Sequence, residues 1–494
     1  MKARSRLDSK ELTRRQFLRK ATCSSLGITS LVNSLSSLHL MQASLAQQSL
    51  TGDYKALVVV FLYGGNDSNN LIIPTADHTE RTLYDQARSG LAIPTSELQP
   101  LVDAQNQTLE YGVPAEATEL AGMFNNRDLS FVCNVGTLVE PIIDRNAYFD
   151  ETIRKPTALF SHNDQVYQWQ TSLPESRVYK SGGWGAKVAD LLNGAYNPLD
   201  SQVSMSISMK GVTRFLMGNQ SSLIPISMGA NTPTAYDATL GRDYNNSYNF
   251  ETDKYRINNA GKRMEVLDKL LRHSYDHLLE NSHNRIALRA RKIELTLNEA
   301  TASVETSIDY DTIFADTAEL GEQLKTISKL IAAKNTLSNR RQIFFCQLNG
   351  FDNHSDQLQD HGDLMQELSK SMAAFNTAMH ELGEHDNVLT ITQSDFNRTL
   401  VSNGAGSDHA WGGHQVVMGG PVDGGKLFGT YPSLDTQGSQ SAEDSRGRWI
   451  PSISVDQYSA VAANWLGVDA NGLDTVFPYL SRFENPLTAV PYVT

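Results

Sequence analysis

Residues 55–63 read KALVVVFLY and stop at Gly64 and Gly65. A continuous apolar, β-branched run of this length is a strand covered on both faces, which occurs where helices lie on either side of a parallel sheet. Related runs are 129–135 (LSFVCNV), 342–348 (QIFFCQL) and 387–392 (NVLTIT), with weaker ones at 203–207 and 415–418. Helical patterns separate them, at about 115–126, 184–194, 255–305, 315–336, 361–383 and 455–466. Strands alternating with helices predict an α/β fold, a mostly parallel central sheet sandwiched by helices. The stretch 225–250, rich in Asn, Thr, Gly and Tyr, reads as loop; with the helix-prone residues up to about 340 it predicts a loop plus helical insertion. Residues 401–448, rich in Gly, Ser and Asp, read as a long functional loop region.

The N-terminus has a different character. TRRQFLR at 13–19 follows Lys2, Arg4, Arg6 and Lys10, precedes a Ser-diluted apolar stretch, and ends in Ser44, Leu45 and Ala46. That order is a twin-arginine signal peptide over residues 1–46, with one α/β domain over 52–494. The expected location is periplasmic or secreted, with the Tat translocase as partner during export. No later stretch is long and apolar enough to span a bilayer, so no transmembrane anchor is expected in the mature form. The full chain carries a net charge of −13, and residues 1–46 hold eight Lys/Arg against two Asp/Glu, so the remainder stands near −19. Such acidity argues against nucleic acid as a partner. Once Cys23 leaves with the signal, Cys133 and Cys346 remain, both in strand-like runs. Two buried inert thiols are favoured over a disulfide.

Ligands in open α/β sheets bind beyond the carboxyl ends of the strands. Here strand 55–63 runs into GGNDSNN, strand 342–348 into NGFDNH and strand 387–392 into QSDFNRT, and the next loop holds GSDHAWGGH. These segments supply Asp67, Asp352, His354, Asp395, Asp408, His409 and His414. Asp and His without Cys suit divalent ions such as zinc, manganese, calcium or magnesium. Seven such residues suffice for up to two ions about 4 Å apart. Each segment also has a plainer reading as a turn or cap. Arg398 would clamp an anionic oxygen of a small anionic substrate, or form a structural ion pair. Nucleophile-elbow, P-loop, dinucleotide-loop and HExxH patterns are absent.

The segments FLYGGNDSNNLIIP (61–74), LFSHND (159–164), GWGA (183–186), GFDNH (350–354), SDFNRT (394–399) and SDHAWGGH (407–414) resemble DUF1501, a family of exported bacterial proteins of unknown function. That family is similar to the alkaline phosphatase-like superfamily of phosphatases, sulfatases, phosphopentomutases and cofactor-independent phosphoglycerate mutases. The resemblance implies an alkaline phosphatase-like α/β fold, a two-metal site and a Ser, Thr or modified Cys nucleophile. By position it implies that Asp67 serves one metal and that Asp352 and His354 serve the other. Asp395 would occupy a ligand position, and His409 that of a later superfamily histidine. Ser161 falls where the nucleophile is expected, and equally where a helix N-cap would sit. Phe396 stands where a His often follows the Asp, and Asp352 and His354 are two apart rather than four. The sulfatase signature is absent, since Arg177 comes one position late after Ser172 and Pro174. An exported metal-dependent hydrolase of phosphate or sulfate esters is therefore expected; the alternative is a non-catalytic periplasmic or cell-surface binding or assembly protein on the same scaffold.

Overall fold

The run at 55–63 forms strand β1 (Lys55–Tyr63), and its seven inner residues are all buried. The computed structural model describes residues 53–176, 181–197, 203–218 and 307–494 except 443, with short stretches between 223 and 301. The export segment expected over 1–46 lies outside the described residues, as does most of the helix expected over 255–305. Within that region the structure describes the helix Asn259–Leu271 and short strands at Ser227–Gly229, Thr232–Thr234, Tyr248–Asn249 and Lys254–Tyr255.

The other strands of the central sheet are β2 (Leu129–Gly136), β3 (Ser206–Ser208), β4 (Leu223–Pro225), β5 (Arg341–Asn349), β6 (Val388–Ser394), β7 (Gly413–Met418), β8 (Leu427–Gly429) and β9 (Ile453–Ser454). The strand order is β8-β2-β7-β6-β1-β5-β3-β4, with β9 also paired to β2. Antiparallel β7 joins β6 to β2, and the remaining pairs are parallel. The architecture is thus mixed α/β around a mostly parallel sheet, as the sequence pattern predicts. A small antiparallel sheet (Ile73–Pro74, Leu98–Val102, Thr108–Pro114) lies beside it.

Seven helices matter here: α1 (Arg81–Arg88), α2 (Thr118–Asn125), α3 (His162–Thr171), α4 (Trp184–Tyr196), α5 (Glu319–Ala332), α6 (Gln357–Leu382) and α7 (Val455–Leu466). Alternate side chains of β1 point to opposite faces. Ala56, Val58, Val60 and Leu62 enter one core with Phe344 and Cys346 of β5, under Leu120 and Phe124 of α2, Leu324 and Ile327 of α5, and Leu368, Met372 and Phe375 of α6. On the other face Phe61 meets Phe345, which meets Phe215, which meets Trp184 of α4. There α7 packs on β1, and its start is fixed by a capping box in which Ser454 and Gln457 satisfy each other's backbone N–H. Cys133 and Cys346 are free and buried; burial pushes the Cys133 thiol up to about 12, so both behave as small apolar side chains.

Candidate metal centre

The parallel register brings three strand ends to one edge. Tyr63 pairs with Asn349, and Leu62 with Ser394. The loops that follow, 64–70, 350–356 and 395–399, therefore emerge side by side. Gly64 has φ +113°, and a Cβ there would lie 2.4 Å from the Asp352 nitrogen. Only glycine allows the first loop to pass so close to the second. Loop 395–399 then folds against 408–411: Asn397 N–H donates to Trp411 O at 3.1 Å, Ala410 N–H to Asn397 O at 2.8 Å, and Thr399 N–H to Asp408 O at 2.9 Å. This brings His409 over the strand ends. The start of α3 supplies His162 from the opposite side.

Three donor atoms converge. His162 Nε2 lies 3.1 Å from His409 Nε2. Asp352 Oδ1 lies 3.4 Å from the first and 3.6 Å from the second. A tetrahedral ion with bonds of about 2.0–2.1 Å holds its ligand atoms roughly 3.3 Å apart, so this triangle has the size of one face of such a site. His354 Nε2 adds a fourth donor, 3.0 Å from Asp352 Oδ1 and 3.2 Å from His409 Nε2.

The tautomers decide what the triangle is for. His162 Nδ1 sits 2.7 Å from Asp395 Oδ2, and His409 Nδ1 sits 2.8 Å from Phe160 O. A carboxylate and a carbonyl only accept, so both Nδ1 atoms carry the hydrogen. A ring with its hydrogen only at Nδ1 presents a lone pair at Nε2, and two such lone pairs 3.1 Å apart cannot hydrogen-bond to each other. A cation between them, a shared proton or a metal ion, would satisfy both. A proton is disfavoured at His409, where burial outweighs the Phe160 carbonyl and pushes the ring below the usual imidazole range, with the Arg398 and His162 charges adding to it. A metal ion fits, and the Asp395–His162 and Phe160–His409 contacts are the orienting partners that metal-bound imidazoles use. Burial raises the Asp352 carboxyl, but the hydrogen bond and charge of Arg398, with His162 and His354, outweigh it and hold the group below the usual carboxylate range. It is therefore ionised and ready to ligate.

The structure sorts the residues expected from sequence. Asp352, His354 and His409 come together. Asp395 is a support: burial holds its carboxyl above the usual range, against the His162 hydrogen bond and the Gly64 N–H. Asp67 does not join. Its buried carboxylate pairs with Arg88 of α1 and accepts from Gln357 and from Asn69, the last at 3.2 Å. Asp408 pairs with Arg446 and stays 3.9 Å from His354 Nδ1. His414 is buried on β7, where Nδ1 accepts from Asn134 N–H at 3.1 Å and the ring stacks on Tyr431. Ser161 holds the N-cap position of α3, and its hydroxyl donates to Asp164 at 2.6 Å. Arg398 is no anion clamp. Its nitrogens are committed to the carbonyls of Gly64, Gly65, Phe351 and Ser407, and to Asp352 at 2.6 Å. With Asp67, Asp408 and His414 engaged elsewhere, the donors at this edge fit one ion rather than an adjacent pair. His162 is the candidate ligand that strand-end reasoning missed, although it lies in the segment 159–164 that carries the family resemblance.

A cavity of about 350 Å³ opens beside the triangle, lined by Tyr63, Asn163, Val166, His162, Asp352 and Asp395. Its wall contains no Lys or Arg, so the ion would be its cationic group.

No curated protein matches this chain. Among solved structures, the "Crystal structure of Ps i-CgsB" aligns at 11% identity over 88% of this chain and 78% of that one, with a TM-score of 0.34. A second, "Crystal structure of Ps i-CgsB in complex with k-i-k-neocarrahexaose", aligns at 11% identity over the same shares with a TM-score of 0.32. Scores this low carry no argument about fold or ligand. Residues 220–445, which contain Asp352, His354, Asp395, Arg398 and His409, match the family model described as "Protein of unknown function (DUF1501)".

Proposed function

We propose that this chain is an exported metal-dependent hydrolase of phosphate or sulfate esters, on an alkaline phosphatase-like scaffold, working with one ion held by His162, Asp352 and His409. The observation that carries the reading is the pair of Nε2 lone pairs facing each other at 3.1 Å beside Asp352, at the mouth of a cavity. Two His and one Asp with room for a further ligand is the donor set of a catalytic zinc-type site. Such an ion lowers the pKa of a bound water and polarises an ester oxygen. The chain's own residues prepare the place. Asp395 keeps the His162 proton at Nδ1, the Phe160 carbonyl does the same for His409, and Arg398 keeps Asp352 ionised and aimed. Half-exposed His354, in contact with Asp352 and His409, is placed to complete the ligand set or to move a proton at the mouth. With the Ser161 hydroxyl committed to Asp164, water rather than Ser161 is the nucleophile this reading uses. Export rests on the twin-arginine pattern of residues 13–19, and the mature protein would work in the periplasm or outside the cell.

One observation favours a second reading, a non-catalytic metal-binding protein of the envelope. Anionic esters are usually met by a free cationic side chain, and this cavity wall has none. Elemental analysis of the exported protein, with a panel of phosphate and sulfate esters in zinc, manganese, calcium and magnesium, separates the two. The hydrolase reading expects ester turnover, and both turnover and one equivalent of metal lost in His162→Ala and in His409→Ala. Metal retained by wild type without turnover of any ester selects the second reading. Metal content unchanged in both variants sinks both.

A further inference from the structure

The far end of β6 carries a second group of donors, unconnected to the centre above. Helix α6 ends at Gly383, whose φ of +68° reverses the chain, with Gly383 N–H donating to His380 O at 3.0 Å and Glu384 N–H to Met379 O at 2.9 Å. This turn, the usual glycine-terminated helix end, folds His385 back onto His380, and the two rings lie 3.7 Å apart at 18°. Asp128, at the entry to β2, meets both: its Oδ2 is 3.4 Å from His380 Nε2 and its Oδ1 is 3.4 Å from His385 Nε2. Neither contact has ordinary hydrogen-bond length, and buried His385 Nε2 has no hydrogen-bond partner. The three ligand atoms all lie within 4.8 Å of one another. Surrounding groups add anchors: Asn376 Nδ2 donates to Asp128 Oδ2 at 2.9 Å, and Asp386 Oδ1 lies 3.6 Å from His385 Nδ1.

We propose that Asp128, His380 and His385 bind a second, separate metal ion of the zinc type. Each imidazole nitrogen lies 3.4 Å from a different Asp128 oxygen, about the ligand separation of a tetrahedral site with bonds of about 2.0–2.1 Å; the carboxylate would grip the ion with both oxygens once half-exposed His380 turns off the His385 ring, and two imidazoles with one carboxylate suit zinc, cobalt or nickel better than calcium or magnesium. The seven residues of β6 separate this group from Asp395, a span of roughly 23 Å at about 3.3 Å per residue. The two ions therefore cannot bridge one substrate. The second ion has a structural role: it ties the C-terminal turn of α6 to the start of β2.

The full chain is titrated calorimetrically with zinc, and separately with cobalt(II) followed by visible absorption. His380 is half-exposed, so His380→Ala leaves the packed side of α6 intact; Asp128→Asn is the second variant and keeps the Asn376 contact. Each is expected to bind one equivalent of zinc fewer than wild type, and to lose the cobalt band that persists in a His162→Ala, His409→Ala double variant. Zinc is expected to raise the melting temperature of wild type more than that of either variant. Equal zinc stoichiometry in wild type, His380→Ala and Asp128→Asn overturns the proposal. Because the readout is a difference at the far end of β6, it stands or falls independently of turnover at the first centre.

Discussion

The proposed first centre would work through hydrogens that its candidate ligands do not share. Asp395 accepts from His162 Nδ1 at 2.7 Å and is itself held by Gly64 N–H at 3.3 Å. Asp395→Asn keeps the shape but removes the charge that fixes the ring, and such supporting partners are typically worth about 10–100-fold in metal affinity. Competition titration with a zinc chelator should show a drop of that order with an unchanged circular dichroism spectrum. Unchanged affinity would mean that Asp395 only packs the loop. Sequence alone separated these roles poorly. Asp67 and Asp395 both follow a buried strand, so they look alike by position. What distinguishes them is a distant partner: Arg88 neutralises Asp67, whereas His162 turns Asp395 into a support. Neither pairing has a local signature, because each joins residues far apart in the chain.

Elements were easier to read than residues. The four strong apolar runs became β1, β2, β5 and β6, with ends within one or two residues of the pattern, since burial on both faces leaves little choice of residue type. Short β8 and β9 were not legible, because two or three residues set no periodicity and their pairing to β2 is decided by the sheet edge. Of helix α3 only the N-cap at Ser161 was legible. Its sequence HNDQVYQWQT buries Gln165, Gln168 and Gln170, so polar residues occupy the inner face and the apolar stripe that marks a helix is absent. The core makes a sharper prediction. Phe344 of β5 is fully buried under α2, α5 and α6, and removing such a ring costs about 3–5 kcal/mol. Urea denaturation of Phe344→Ala should lower the midpoint accordingly, while zinc stoichiometry stays that of wild type. A small change would mean that the helices close over the gap.

At the scale of the whole molecule, stability should carry a pH signature from a buried charge that the sequence did not reveal. Asp456 lies in the first turn of α7, fully buried, where Ser172 donates to its Oδ1 and its Oδ2 has no partner. Burial pushes the carboxyl up to about 7, against the Ser172 hydrogen bond and the charge of Lys187. Burial pushes Lys187 down to about 8, against the charge of Asp456. An unfolded Asp titrates near 3.9. Between about pH 4 and 7 the unfolded chain has released a proton that the folded chain keeps, so this group makes stability fall as pH rises through that window. The neutral histidines act oppositely: burial holds His361 to about 4 and His414 to about 3, so their contribution is lost as pH falls below roughly 6.5. The wild-type profile is a composite of both, and the informative quantity is the difference between wild type and Asp456→Asn, which keeps the acceptor for Ser172 without the titration. In chelator, so that metal binding drops out, urea midpoints should show wild type losing ground to the variant between pH 5 and pH 8. A difference that stays constant across that range would mean that Asp456 titrates alike in the folded and unfolded chains.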